Sequence, residues 1–456
     1  MNLQFQAASQ DETGLQSVDS LIDSLSAIHP KGYDLSLDRI RRVLAALGHP
    51  EQAIPPVLHV AGTNGKGSTI AFSRAILEAA GKTVHVHTSP HLVRWHERFR
   101  LGKPGGGVLA QDRELASAIA RVAEANGGEP ITIFEILTGA MFLLFSENPA
   151  DYALVEVGLG GRFDATNVIR SPLAAIIANI SIDHQQQLGD TVEEIAFEKA
   201  GIIKPGRPAV IGPQQDSVRE VFEAVAAERG AHAVVAGRDF TFFEQGGRLV
   251  YQDDYGLLDL PLPRLRGRHQ HANAATAIAA IRYAGHESGL SLPDEAFEMA
   301  MTSVTWPGRM ERLKDGKLTA LAPSAAEIWI DGGHNPSAGM VVASELAELE
   351  ERAPMPAVLV TGMLTTKDPE GFFAAFAGLV ERAITVPLSD SEADFDPETL
   401  AGHARAAGIA AETASSLAEA LEIVENHHDG LPVRVLMAGS LYLAGQALRE
   451  NGTPPE

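Results

Sequence analysis

The chain has no cysteine. That excludes a disulfide framework, a thiolate nucleophile and a Cys-based zinc site, and it fits a reducing compartment. The opening residues MNLQFQAASQDETGLQSVD carry neither a basic start nor an apolar core, so they do not read as a secretory signal. Apolar stretches such as Ala174–Ile180 fall far short of the roughly 20 residues that span a bilayer. Positive charge is scarce: 36 Lys and Arg stand against 59 Asp and Glu, for a formal net charge of −23. This argues against nonspecific binding to nucleic acid or anionic membrane. It also means that any anionic substrate is held by local groups working against the overall field. The expectation is a cytoplasmic protein with small-molecule partners.

What is present points to more than one core, since 456 residues exceed an ordinary single domain. Short β-branched runs alternate with amphipathic stretches, the pattern of α/β layers around largely parallel sheets. Strands are expected at Val57–Val60, Thr83–His87, Tyr152–Val157 and Leu173–Ile180, with helices at Thr69–Ala80, Thr191–Ala200 and Ala272–Ala284. Glu193 and Glu194 open the second of these helices, where its dipole favours them. A second series follows residue 310, with strands at Glu327–Ile330, Ala357–Thr361, Ala383–Val386 and Val433–Met437 and a helix at Ser337–Arg352. Trp306-Pro307-Gly308-Arg309 reads as the linker, dividing the chain into 1–306, a 307–311 hinge and 312–456. Residues 240–266 alternate like antiparallel strands (Phe240, Phe242, Leu249, Tyr251) and predict a small β insert.

The strongest local signal is His59-Val60-Ala61-Gly62-Thr63-Asn64-Gly65-Lys66-Gly67-Ser68-Thr69. A strand ends, glycines bend the chain, a lysine follows and hydroxyls open a helix. Polyphosphate needs such a place: converging N–H groups, a helix N-terminus and a mobile cation. The match to the ordinary Walker A spacing is imperfect, since Gly67 falls between Lys66 and Ser68. A plain Gly-rich turn is the alternative; Lys66 between two glycines favours phosphate.

Gly62-Thr63-Asn64-Gly65-Lys66 resembles the ATP loop of the Mur ligase superfamily, and the added Gly67-Ser68 resembles its folate branch, the folylpolyglutamate and dihydrofolate synthases. Further segments resemble that branch in order: Thr88-Ser89-Pro90-His91-Leu92, Phe134-Glu135, Glu156 to Asn167, Asp183-His184, Glu198 to Ile202, His269-Gln270, Pro307-Gly308-Arg309, Asp331 to Pro336 and Gly439 to Gly445. The likeness begins near Tyr33 and runs almost to the C-terminus. It departs at Gln185-Gln186-Gln187, where the branch often has Thr, and at Gly333, where Ala is common.

The resemblance implies a two-domain α/β fold, with an N-terminal P-loop ATPase domain built on a parallel sheet and a smaller Rossmann-like C-terminal domain. It implies an ATP-dependent ligase that adds L-glutamate to dihydropteroate and to the glutamate tail of reduced folates through an acyl phosphate, acting as a monomer with one or two Mg²⁺ ions. Single-activity members share these motifs, so one activity alone is the alternative. Lys66 would pair with the β/γ-phosphates, and Asn64, Gly65, Gly67, Ser68, Asn273, Arg309 and Asp331 would complete the ATP site. Ser89, Glu156 and His184 would hold magnesium. Thr132, Phe134, Glu135, Phe163, Asp164 and Ala165 would face the folate; His334, beside Asp331, would also bind substrate, and Lys367 and Ser440 would lie on the C-terminal side near the glutamate. By resemblance Lys199 is carbamylated; from the residues alone it reads as a salt bridge to Glu198 or Glu194. Arg309 likewise reads alternatively as a partner of Glu311. A peptidoglycan-type Mur ligase is disfavoured by Gly67 after Lys66 and because no separate UDP-binding domain is recognisable before the ATP loop, which starts by residue 62. A P-loop kinase or regulator is disfavoured by the Glu156–Asn167 signature and the second α/β series. The product itself follows from resemblance, not from spacing.

Overall fold

The computed structural model describes residues 17–27, 36–389, 391 and 393–455. Tyr33 to Leu35, where the resemblance begins, lie outside them. The first sheet contains β1 (Val57–Ala61), β2 (Val84–His87), β3 (Phe99–Leu101), β4 (Val108–Leu109), β5 (Tyr152–Glu156), β6 (Ala174–Ile177), β7 (Pro208–Ile211) and β8 (His232–Val235), in the order β4-β3-β2-β5-β1-β6-β7-β8. β1 is buried along its whole length because parallel neighbours flank it, β5 on one side and β6 on the other. That is why Val57-Leu58-His59-Val60-Ala61 reads as a nearly continuous apolar run and not as an alternating one.

Helices cover both faces. On one, Lys66–Ala79 and Arg268–Ser288 pack Ile70, Ile76, Ile278 and Ile281 into the sheet core. On the other, Asp112–Asn126 and Ile133–Glu147 pack Leu115, Ile119, Met141 and Phe142. Residues 240–261 form a separate antiparallel sheet of β9 (Phe240–Gln245), β10 (Arg248–Asp253) and β11 (Gly256–Pro261), whose Leu249, Tyr251 and Leu260 join the first cluster.

The last sheet contains β12 (Glu311–Arg312), β13 (Glu327–Ile330), β14 (Ala357–Thr361), β15 (Arg382–Thr385), β16 (Ala410–Thr413) and β17 (Arg434–Met437), in the order β12-β13-β17-β14-β15-β16. It is parallel except for β12. The segment between the sheets is tied to β13. The Asp331 carboxylate accepts the Met310 and Gly333 N–H groups at 2.8 and 2.6 Å, and Gly332 N–H donates to the Gly308 carbonyl at 2.9 Å. Among the described residues, no helix is long and apolar enough to cross a membrane.

Candidate active site

The loop after β1 leaves the sheet beside its two parallel neighbours, the position where open α/β sheets bind ligands. Thr63 and Asn64 N–H both donate to the Asn179 carbonyl, at 2.8 and 3.2 Å, which clamps the loop to the end of β6. Gly65 turns the chain at φ 87° into the helix Lys66–Ala79, and a Cβ there would lie 2.4 Å from Asn273 Oδ1. The helix starts three residues before its apolar periodicity does, because Lys66, Gly67 and Ser68 already form its first turn. Gly67 has a different reason to be glycine: the indole of Trp306 lies against it, 2.7 Å from where a Cβ would stand. The residue that breaks the Walker A spacing is thus where the first residue of the predicted linker touches the loop.

Lys66 Nζ donates to the Gly62 and Thr63 carbonyls, both at 3.2 Å, and lies 3.9 Å from Glu156. Glu156 ends β5 and accepts the Ser89 N–H at 3.0 Å. Burial raises the Glu156 pKa, and the positive charge of Lys66, the Ser89 hydrogen bond and Arg309 offset part of that rise. His184 follows β6 with φ 54°, and burial lowers its pKa to about 4, so it is a neutral imidazole near pH 7. Ser89, Glu156 and His184 all line one cavity of about 320 Å³ with Asn64, Lys66, Lys199, Asn273, Arg309, Asp331 and His334. Among the described residues, no three His, Asp or Glu side chains are gathered as a metal cage. A hydroxyl, a buried carboxylate and a neutral imidazole do fit Mg²⁺, which takes few protein ligands and keeps phosphate oxygens and waters for the rest.

Lys199 ends the helix Val192–Lys199 and is buried, with Nζ donating to the Gly62 carbonyl at 2.9 Å. Burial and the charge of Lys66 bring its pKa down to about 7. The salt bridge read from the residues alone is not formed. Glu198 lies 3.9 Å from Arg162, and Glu194 caps its own helix through Thr191, as the spacing of a capping box dictates. Nor does Arg309 pair with Glu311. Its guanidinium donates to the Gly308 carbonyl, and Glu311 accepts the Gly308 N–H.

Two residues that the motifs contained without a stated role join the two halves of the chain. Asp183 accepts Lys367 Nζ at 2.6 Å and Asn335 Nδ2 at 3.2 Å, with His334 Nε2 at 3.4 Å. Asn335 also exchanges amide hydrogen bonds with Asn64 of the glycine-rich loop. Burial alone would raise the Asp183 carboxyl, but His334, Lys367 and His184 hold it far below the usual carboxylate range. Lys367, expected near the glutamate, is therefore engaged in this contact.

The folate-side set lies elsewhere. Thr132 and Glu135 form a capping box on Ile133–Glu147, and Glu135 also binds Arg39 at 3.0 Å. Phe134 packs on Gly158, and Phe163 is partly exposed beneath the Arg162 guanidinium. Asp164 accepts N–H groups from Gly158, Leu159 and Thr166 and the Thr166 hydroxyl, and Ala165 is buried behind it. None of these side chains lines the 320 Å³ cavity. Ser440 does not line it either, because its hydroxyl caps the helix Leu441–Asn451 through Tyr442 N–H.

A cavity with a glycine-rich loop on one wall and a second α/β sheet on the other can be compared with known proteins. The Mur ligase middle domain matches residues 60–281. The dihydrofolate synthase/folylpolyglutamate synthase of Escherichia coli is 35% identical over 370 residues, 81% of each chain. That of Mycobacterium tuberculosis is 32% identical and covers 93% of this chain and 91% of its own. The chain belongs to the dihydrofolate synthase/folylpolyglutamate synthase family. This folate-ligase family also supplies matching structures. Escherichia coli FolC in complex with DHPP and ADP superposes with a TM-score of 0.84 at 30% identity, covering 97% of this chain and 98% of that one. The Yersinia pestis enzyme complexed with AMPPNP and Mn ion gives 0.83 at 30% identity, covering 97% and 99%. The two-domain Mur-ligase-like α/β fold implied by the motifs is thus the fold of this chain, and the chain is a ligase of the folate branch.

Proposed function

We propose that this ligase uses ATP to join L-glutamate first to dihydropteroate and then to the tails of reduced folates. The observation that carries this reading is the meeting of Lys66, Glu156, His184 and Lys199 with Arg309 of the hinge and Asp331 of the C-terminal half around one 320 Å³ cavity. A carboxylate is a poor electrophile, so the substrate carboxylate attacks the γ-phosphorus, ADP leaves, and the glutamate amine displaces phosphate from the acyl phosphate. Such chemistry needs charge neutralisation and alignment more than a protein nucleophile. The loop N–H groups and Lys66 bind the phosphates, and Arg309 and Asp331 complete the ATP site as the halves close and exclude water. Ser89, Glu156 and His184 would hold a divalent ion, which supplies charge neutralisation on the phosphate oxygens. The mixed AMPPNP–Mn and ADP complexes of the relatives support a nucleotide and a divalent ion here.

Lys199 belongs to this reading as a carbamate. Its near-neutral pKa supports it, since only the free amine adds CO₂. Carbon-13 carbonate labelling would give a carbamate resonance in the parent protein and none in Lys199→Arg; the same spectrum from both would end this part. The reading includes the division at 307–311, supported by two sheets that share no strand, a cytoplasmic monomer, and the folate-side residues named from the motifs.

The test is product mass spectrometry with ATP, Mg²⁺ and glutamate, offering 7,8-dihydropteroate or tetrahydrofolate. A one-glutamate mass gain with each is expected, with Lys66→Ala lowering ADP release on the order of 10³-fold. A gain with one substrate alone would leave a single-activity ligase.

A further inference from the structure

The reacting corner opens in a second direction. A groove of about 1280 Å³ runs between the two halves of the chain and shares Ser89, Glu156 and Arg309 with the smaller cavity. Its charge is the reverse of the chain's: ten Arg and Lys line it against four Glu, in a protein of net charge −23. Part of this charge is neutralised in the wall, where Arg434 is held by Glu327 and Glu350, Arg312 by the same Glu327 at 3.5 Å, and Arg352 by Glu348. Other cations of the groove are less fully matched. Arg74 and Arg100 share the single carboxylate of Glu78, at 3.7 and 3.9 Å, and the Nε of each is buried without a hydrogen-bond acceptor. Arg264 and Lys314 have no carboxylate at ion-pair distance among the described residues, and Arg266 lies over the Trp329 ring at 5.1 Å.

We propose that this groove takes the poly-γ-glutamate segment of folates that already carry several glutamates, with the terminal γ-carboxylate at the Ser89–Glu156–Arg309 corner. The inference rests on the ligase reading above and adds to it a preference among substrates. Each residue of a γ-linked tail contributes one free α-carboxylate and no cation. A row of guanidinium and ammonium groups recognises such a polyanion one carboxylate at a time and tolerates different lengths. It also accounts for cations kept in excess beside the one corner where an acyl group is activated: they concentrate an anionic chain that the protein's overall field repels. Dihydropteroate has no glutamate, so it gains nothing from these groups.

The test compares the parent with Arg264→Gln/Arg266→Gln/Lys314→Gln, three exposed positions outside the cavity that holds the loop. Values of kcat/KM are measured for dihydropteroate and for tetrahydropteroyl mono-, tri- and pentaglutamate, at low and high salt. The variant is expected to match the parent on dihydropteroate and to fall progressively with tail length, on the order of 10-fold for the pentaglutamate at low salt. Added salt should shrink that gap. A variant-to-parent ratio independent of tail length overturns the groove assignment while leaving the ligase intact. Failure of the parent to glutamylate any of these substrates overturns the ligase reading and this inference with it.

Discussion

Asp164 and Asp183 stand in the turns that follow β5 and β6, the two strands flanking β1, and they are held in opposite ways. Asp164 takes its hydrogen bonds from Gly158, Leu159 and Thr166, no more than six positions away. Apart from the adjoining His184 N–H, Asp183 takes its donors from Lys367 and Asn335, with His334 beside it, all on the C-terminal side. Burial raises the carboxyl of Asp164, whereas its cationic surroundings hold Asp183 far down. One turn is complete within its own stretch of sequence; the other is complete only when the second sheet is in place. The first is held by its own stretch of sequence, and the second ties the turn after β6 to the C-terminal sheet.

The largest expected effect breaks the second kind of turn. Asp183→Ala leaves Lys367 and His334 without their carboxylate, and turnover measured as ADP release should fall on the order of 10³-fold, with the melting of the first sheet little changed. A matching loss of stability with turnover per folded molecule intact would make Asp183 ordinary scaffold. Next, Asp164→Ala leaves three N–H groups unsatisfied and should cost about 3 kcal/mol, read from the denaturant midpoint. An unchanged midpoint with a raised KM for dihydropteroate would move Asp164 from scaffold to substrate contact.

The third effect is graded by pH, and near neutral pH it vanishes. His59 Nε2 meets the Thr166 hydroxyl at 2.8 Å, and that hydroxyl donates to Asp164, so His59 carries its proton on Nε2 and its buried Nδ1 has no partner. Burial lowers its pKa from 6.5 to about 3. The unfolded chain therefore binds the extra proton first, and stability falls as pH drops through that window, by about 1.4 kcal/mol per unit from this group. In His59→Gln the slope of stability against pH between 6.5 and 3 should be shallower; an identical slope would mean that His59 is not buried neutral.

Much of the scaffold was legible because the signals are local. Glu327–Ile330 and Ala357–Thr361 keep the bounds expected from their short apolar runs: Ala357–Thr361 lies between parallel β17 and β15, and Glu327–Ile330 between parallel β17 and the short antiparallel β12. The helix expected at 272–284 extends over Arg268–Ser288, because its His269-Gln270 start has no apolar period to mark it. The loop after β1 declared itself by composition. What sequence reading missed depends on competition for partners. Lys199 has two glutamates within reach along the chain, yet Glu194 is taken by a cap and Glu198 by Arg162. Ser440 sits in a motif, but a helix end uses its hydroxyl. The Lys367–Asp183 contact spans 184 positions, and no periodicity or spacing encodes it.

Trp306 stands just ahead of the hinge with its indole against Gly67, between the loop and the large groove. The chain has three tryptophans, so one of its few intrinsic fluorophores is mounted where the two halves articulate. Any rotation of one half relative to the other changes the packing and polarity around that ring. The protein thus carries a built-in optical gauge of the spacing between its halves, readable in emission without an attached dye.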